Sequence, residues 1–116
     1  MNCLFCKIIA GELPSSKLYE DGQMLVFRDV APQAPFHALA IPKGEPHLDS
    51  AAALARHPER AGVIGHMLGV IAQHQAEWGL EGGYRLISNT GMDAFQTVPH
   101  LHFHILGGCQ LPEKPR

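Results

Sequence analysis

The run His100-Leu101-His102-Phe103-His104-Ile105-Leu106 alternates polar and apolar residues with a period of two, and it constrains the fold more than any other segment. In an extended strand, successive side chains point to opposite faces. The three imidazoles therefore share one face at a spacing of about 7 Å, and Leu101, Phe103 and Ile105 enter a core on the other. A polar edge facing water would be served equally well by Lys, Thr or Glu, so three histidines in register point to chemistry. Imidazole binds metals, moves protons and attacks electrophiles near neutral pH. A three-histidine metal site and a nucleophilic or acid–base site both remain open on this run alone.

Other segments supply the sheet that such a strand needs. Lys17 to Glu20 and Met24 to Arg28 flank Asp21-Gly22, a dipeptide that favours positive φ and a tight hairpin, and predict two antiparallel strands. Phe36 to Ile41 is a third strand, stopped by Pro42-Lys43-Gly44. Tyr84 to Asn89 and His100 to Leu106 complete a sheet of about five strands. Leu4 to Ala10 is a short apolar helix closed by Gly11. Asp49 or Ser50 can cap a helix from Ala51 to Arg56, and Pro58 starts a long central helix that runs to about Trp78, where Gly79 ends it. Gly62, Gly65 and Gly69 fall within about 60° of one another on that helix and offer a smooth face for close backbone approach. The sum is an α+β domain, an antiparallel sheet with a long helix packed on it.

A chain of 116 residues holds one hydrophobic core, so a single domain spanning residues 1–116 is expected. Nine basic against eleven acidic residues give a net charge of −2, which argues against general nucleic-acid or anionic-membrane binding. Any phosphate ligand must be held locally. The most apolar stretch, Val63 to Ala72, is well short of the roughly 20 residues that span a bilayer. No basic segment precedes an apolar stretch at the N-terminus, and a cytoplasmic location is expected. The cysteine count is odd, and Cys3 and Cys6 form a CxxC, which in a reducing compartment suggests metal binding or redox chemistry more than a structural disulfide. Cys109, His57, His66 and His74 suggest no function.

Three separated motifs, in order, carry a resemblance over nearly the whole chain: Cys3-Leu4-Phe5-Cys6-Lys7-Ile8-Ile9, Phe27-Arg28-Asp29-Val30-Ala31-Pro32-Gln33-Ala34-Pro35-Phe36-His37, and Gln96-Thr97-Val98-Pro99 running into the histidine strand and Gly107-Gly108. Together they resemble the histidine triad (HIT) superfamily, and within it the histidine triad nucleotide-binding branch of homodimeric purine nucleoside phosphoramidate hydrolases. The resemblance implies that His102 attacks the α-phosphorus of a nucleoside 5′-phosphoramidate and that water then hydrolyses the nucleotidyl-histidine, with no metal required. His104 would donate to a phosphate oxygen, and His37 and His100 would orient the ring network and help move protons. It further implies a ribose-binding carboxylate at Asp29, although a solvated aspartate at a strand end fits the same residue. An apolar wall around the base would come from Leu4, Phe5, Ile8, Phe27 and Val30, and Asn89, Gln96 and Thr97 would surround the phosphate and leaving group.

Some bacterial members of the superfamily hold a structural zinc, and the matching positions here are Cys3, Cys6, His47 and His100, a closed Cys2His2 set. The chain departs from close relatives in three places. Ala94-Phe95 stands where they have a glycine pair, so the Phe95 side chain bears on backbone approach to the phosphate. Ala31 replaces a common serine, and Gly44-Glu45-Pro46 adds spacing before His47. The alternatives to a phosphoramidate hydrolase are a dinucleoside polyphosphate hydrolase of the same superfamily, a non-catalytic purine nucleotide-binding regulatory module, and a metal-ion protein.

Overall fold

Five apolar runs become the strands of one antiparallel sheet, and the alternation of side chains along them decides what covers its two faces. The structure, a computed structural model, describes residues 3–113; the outermost residues of the expected 1–116 span lie outside them. Strands β1 (Lys17–Glu20), β2 (Met24–Arg28), β3 (Phe36–Pro42), β4 (Tyr84–Ile87) and β5 (Phe103–Gly107) lie in the order β1-β2-β3-β5-β4. All neighbouring pairs are antiparallel. The last strand in sequence thus inserts between the third and fourth.

Helices cover both faces. Met24, Val26, Phe36, Ala38, Ala40 and Ile105 pack on α2 (Ala61–Gln73) through its buried Met67, Val70 and Ile71. The alternate residues Leu25, Phe27, Leu39 and Ile41 pack on α1 (Leu4–Ile9) through Phe5 and Ile8. A helix of six residues is too short to persist in water; α1 exists because the Cys3 sulfur caps it, accepting the Cys6 backbone N–H at 3.0 Å, and because Phe5 and Ile8, one turn apart, are buried. Each such side chain contributes about 1.5–3 kcal/mol on burial. Among the described residues no helix is long and apolar enough to cross a membrane.

Several expected boundaries move. The α-helical part of the central helix is Ala61–Gln73; Pro58–Arg60 before it is a 3-10 turn, and the chain after Gln73 passes through turns to Gly79, at φ +73°. Ala51–Ala55 is also 3-10, with the Ser50 hydroxyl accepting the Ala52 N–H at 3.2 Å, so the cap is Ser50 and not Asp49. β4 stops at Ile87, short of Asn89. β5 begins only at Phe103, because Leu101 donates its N–H to the Leu48 carbonyl at 2.8 Å and His100 donates to Val98 at 2.9 Å. This takes His100 to His102 out of the ladder.

The glycine face of α2 does not meet the sheet of its own chain. A Cβ built at Gly62, Gly65 or Gly69 would have nothing within 4 Å, so this face is open to solvent in the monomer.

The β1–β2 turn also forms differently from expectation. Gly22 is not among the positive-φ glycines. Instead one oxygen of Asp21 accepts the N–H groups of Gln23 at 2.7 Å and Met24 at 3.0 Å, while the other meets the Tyr19 hydroxyl and His66 Nε2, each at 2.7 Å. His66 belongs to α2, so one carboxylate ties the hairpin to the helix. Burial works to raise the Asp21 pKa, but the hydrogen bonds from His66, Tyr19 and the two backbone N–H groups prevail and hold it at about 2. A folded-state pKa below the unfolded value gives stability that is present above about pH 4 and lost as pH falls through about 2. Asp21→Asn is expected to cost roughly 2 kcal/mol at pH 7, measured by urea denaturation, with the gap from wild type closing below about pH 2.

Candidate functional site

Two adjoining sites grow from the α1 side of the sheet. The larger is a cavity of about 850 Å³ whose walls include residues from α1, β2 and the segment that joins β4 to β5. Phe5, Ile8 and Phe27 form its buried apolar wall, and the Phe5 and Phe27 rings meet edge to face at 5.6 Å. Leu39, which the sequence analysis did not single out, also lines it; alternation with His37 on β3 places it on that face. Leu4 lines the cavity half-exposed, and Val30 stands at the rim with its side chain fully exposed. Asn89, Gln96, Thr97, Asp29, His102 and His104 complete the polar lining.

The segment 89–99 is held by Gln96. Its side-chain oxygen accepts the Gly91 N–H at 2.9 Å, and its amide nitrogen donates to the carbonyls of Asp49 at 2.6 Å and Val98 at 3.0 Å. The amide expected beside a leaving group is thus occupied in shaping the loop. Phe95 adopts φ 60°, ψ 43°, the left-handed conformation that suits glycine, and its ring is 83% exposed while lining the cavity. Such a conformation costs about 1–3 kcal/mol in a non-glycine residue.

The histidines divide between the two sites. His102 is buried, its ring edge to face with Phe5 at 5.1 Å, and its Nδ1–H donates to the His100 carbonyl at 2.6 Å. That bond fixes the tautomer and leaves Nε2 with a free lone pair. His37 lies behind His104: the register sets Leu39 opposite His104 and His37 opposite Leu106, and His37 Nε2 stands 2.9 Å from His104 Nδ1. The Gln33 backbone N–H donates to His37 Nδ1 at 3.0 Å, and the Asp29 carboxylate lies 3.4 Å from His37 Nε2. Asp29 is not a freely solvated strand end; its other oxygen accepts the Ala31 N–H at 2.8 Å.

Burial lowers the pKa of His37 against the opposing charge of Asp29. Burial also lowers that of His104, reinforced by His102 and His37. Both rings are neutral at pH 7.

His100 turns the other way. Its Nδ1 lies 3.4 Å from each of the Cys3 and Cys6 sulfurs, and its Nε2–H donates to the Pro42 carbonyl at 2.9 Å. His47 repeats the pattern, with Nδ1 3.9 Å from the Cys6 sulfur and Nε2–H donating to the Pro99 carbonyl at 2.9 Å. The added Gly44-Glu45-Pro46 spacing does not carry His47 away. Arg60 braces that loop, donating to the carbonyls of Pro46 at 3.2 Å and Lys43 at 2.7 Å.

All four donor atoms lie within 4.8 Å of one another. Bonds of about 2.0–2.3 Å around a tetrahedral zinc separate its ligands by roughly 3.3–3.8 Å, close to the nitrogen–sulfur distances here. Backbone carbonyls holding both Nε2–H groups are the outer-shell arrangement that aims Nδ1 at a metal. Burial pushes the His100 pKa down to about 4, which keeps it in the neutral form that a ligand requires. The two sulfurs are joined to each other in this structure, so a metal at this centre requires the reduced pair.

This geometry revises two readings of the histidine run. His100, His102 and His104 do not converge on one ion; the clusters among the described residues are Cys3, Cys6, His47 and His100, and separately Asp29, His37 and His104. The His100 ring faces the cysteines and Pro42 and not the His37–His104 pair. It is the His100 carbonyl that reaches His102.

A solvent-facing cavity in which a buried imidazole offers an unprotonated nitrogen beside a second, hydrogen-bonded imidazole defines a site for attack on an electrophile such as phosphorus. Comparison with known proteins gives the lineage. The family model described as scavenger mRNA decapping enzyme C-term binding matches residues 2–111. A "14 kDa zinc-binding protein" of Zea mays is 44% identical over 113 residues, covering 97% of this chain and 86% of its own. The crystal structure of a HIT family hydrolase from Legionella pneumophila superposes with a TM-score of 0.89 at 40% identity, covering 99% of this chain and 100% of that one. That of a histidine triad nucleotide-binding protein from Candida albicans gives 0.78 at 31%, covering 99% and 86%. The chain belongs to the histidine triad superfamily.

The loop anchor can be tested directly. Gln96→Ala is expected to speed amide hydrogen exchange at Gly91 by about fivefold or more, since a lost hydrogen bond is worth roughly 1 kcal/mol or more, with exchange of the β3 and β5 amides unchanged.

Proposed function

We propose that this chain hydrolyses purine nucleoside 5′-phosphoramidates through a nucleotidyl-histidine intermediate on His102. The observation that carries the reading is the Nδ1–H bond from His102 to the His100 carbonyl, 2.6 Å, which presents Nε2 as a nucleophile in a cavity whose apolar wall suits a flat base. The names of the hydrolase and nucleotide-binding neighbours support the same class. In the first step Nε2 bonds to phosphorus and the phosphorus–nitrogen bond of the substrate breaks. The departing amine takes a proton from solvent through the open mouth of the cavity, and His102 becomes a phosphorylated imidazolium that keeps its Nδ1–H. Water then attacks phosphorus, the bond to Nε2 breaks, and nucleoside monophosphate leaves with release of a proton. His104 Nε2–H donates to a phosphate oxygen throughout and strengthens its hold as charge builds there. Asp29, an acceptor-only group, pairs with the ribose hydroxyls.

His102→Ala is expected to lower kcat toward adenosine 5′-phosphoramidate by at least about three orders of magnitude, with binding of adenosine monophosphate and the circular dichroism spectrum preserved. Unchanged turnover in the variant would exclude His102 as nucleophile; binding without turnover in wild type would favour a regulatory nucleotide-binding module.

The reading includes a structural zinc on Cys3, Cys6, His47 and His100, supported by the convergence of the four donor atoms and by the maize relative, a zinc-binding protein by name. Zinc there would supply folding energy; with four protein ligands it leaves no open position for substrate. The reduced cysteine pair that it needs fits a cytoplasmic location. The reading also includes a homodimer through the solvent-facing Gly62, Gly65 and Gly69 of α2, where backbones can approach closely. Protein purified under reducing conditions without chelator is expected to carry about one zinc per chain, and Cys3→Ser to lose it. Absence of zinc with both thiols shown reduced would overturn the assignment.

A further inference from the structure

We propose that the backbone N–H of Gln33 locks the proton arrangement of the His37–His104 pair, making His104 a fixed N–H donor to the bound phosphate and closing the pair as a route for proton transfer. The inference rests on the reading of the cavity as a phosphate site only for what His104 touches; the lock itself is a property of the free protein.

At the end of the chain of bonds the chemistry leaves no choice. A backbone N–H can only donate, so at 3.0 Å from Gln33 N the His37 Nδ1 must be the lone-pair nitrogen. A neutral imidazole carries one proton, which therefore sits on His37 Nε2. Two independent neighbours agree with that placement. His104 Nδ1 at 2.9 Å and the Asp29 carboxylate at 3.4 Å both need a proton from Nε2. Having accepted at Nδ1, His104 carries its own proton on Nε2, on the opposite side of the ring, and His104 lines the cavity. The direction of donation runs from Gln33 to His37 to His104 to the ligand.

Each member of this chain is fixed by something outside it. Gln33 lies in the segment Pro32-Gln33-Ala34-Pro35, where both prolines set φ and neither offers an N–H, so Gln33 is the donor placed to face His37. The Asp29 backbone N–H donates to the His37 carbonyl at 3.0 Å and its carboxylate is steadied by Ala31. The same arrangement argues against a metal on Asp29, His37 and His104: an ion bound at His37 Nε2 would move that ring's proton to Nδ1, directly against the Gln33 N–H.

A relay that begins at an amide cannot refill. If His104 gave its Nε2 proton to a leaving amine, the pair could replace it only by passing the His37 proton to His104 Nδ1. His37 would then be an imidazolate, since the Gln33 amide does not surrender its hydrogen near neutral pH. The pair therefore polarises the phosphate without changing protonation state, and the proton for the amine comes from another source. His37 is a positioning residue in this scheme, and so is Gln33, through its main chain.

Imidazole 15N spectra of the ligand-free protein at neutral pH decide the tautomers without reference to any activity. Both His37 and His104 are expected as Nε2–H tautomers. Replacing the Gln33 amide by an ester, which removes only the N–H, is expected to populate the Nδ1–H form of His37 and mix the tautomers of His104; Gln33→Pro should do the same, and the ester variant decides if the proline variant fails to fold. A His37 Nδ1–H tautomer in wild type, or an ester variant with unchanged tautomers, overturns the lock. For the role of His104, Gln offers an N–H donor that cannot act as a neutral-pH acid. His104→Gln is expected to exceed His104→Ala by about tenfold or more in affinity for adenosine monophosphate and in kcat for the phosphoramidate, as a retained charge-assisted hydrogen bond implies. Equal loss of kcat in the two variants, with the affinity of the Gln variant retained, would make His104 a proton donor and overturn the closed route. If wild type shows the expected tautomers but no phosphoramidate turnover, the lock stands and the proposed reaction falls.

Discussion

The pairing of β3 with β5 is the constraint from which the site follows. It joins two segments more than 60 residues apart and sets Leu39 opposite His104 and His37 opposite Leu106, so that two imidazoles from different strands come to 2.9 Å. Shifting this register by one residue would send one of the two rings to the opposite face of the sheet, into the packing of α2. The sheet core on that face, with Ala38, Ala40 and Ile105 fully buried against Met67 and Ile71, is therefore what keeps the histidines on the cavity side. The geometry of the histidine pair is held by apolar packing on the far face of the sheet.

The departure of the chain from the ladder just before β5 has an equally large effect. Leu101 bonds Leu48 rather than a strand neighbour, and the turn lets consecutive polar positions part company. The His100 ring goes to the cysteines while its carbonyl stays with His102. One residue thus belongs to the cysteine cluster through its side chain and to the cavity through its backbone. Phe5, between Cys3 and Cys6 on α1, joins the same two sites, lying edge to face with His100 at 6.1 Å and with His102 at 5.1 Å. Loss of order at the cysteine centre would reach His102 by both paths.

Burial rather than charge governs His37, His100 and His104. In His37, His100 and His104 desolvation is the leading cause of a lowered pKa, and the hydrogen-bond partners of all three leave exactly one lone pair and one proton to place on each ring. A neutral imidazole has two different nitrogens, and a protein that excludes the cation can assign each nitrogen a task by choosing what faces the other. Main-chain groups make that choice at four positions: the carbonyls of His100, Pro42 and Pro99, and the N–H of Gln33.

The sequence by itself determined which residues share a face. Period-two alternation placed His102 and His104 opposite Phe103 and Ile105, the CxxC announced a possible ligand pair, and the ordered motifs identified the superfamily and most of the cavity lining. Local patterns reach that far because side-chain direction within a strand or helix is set by backbone geometry alone. They did not reveal that His100 leaves its neighbours, that Gln33 faces His37, or that His66, given no role, donates to the second oxygen of the Asp21 carboxylate. Asp21-Gly22 promised a turn made by glycine, and the turn was made by an aspartate whose second oxygen needed partners from β1 and α2. In each case the deciding contact joins atoms from separate elements, and their meeting depends on strand order, register and packing depth. Only the tertiary structure fixes those, because a hydrogen bond is specific to a few tenths of an ångström while a sequence pattern specifies no more than the side of the element on which a group lies.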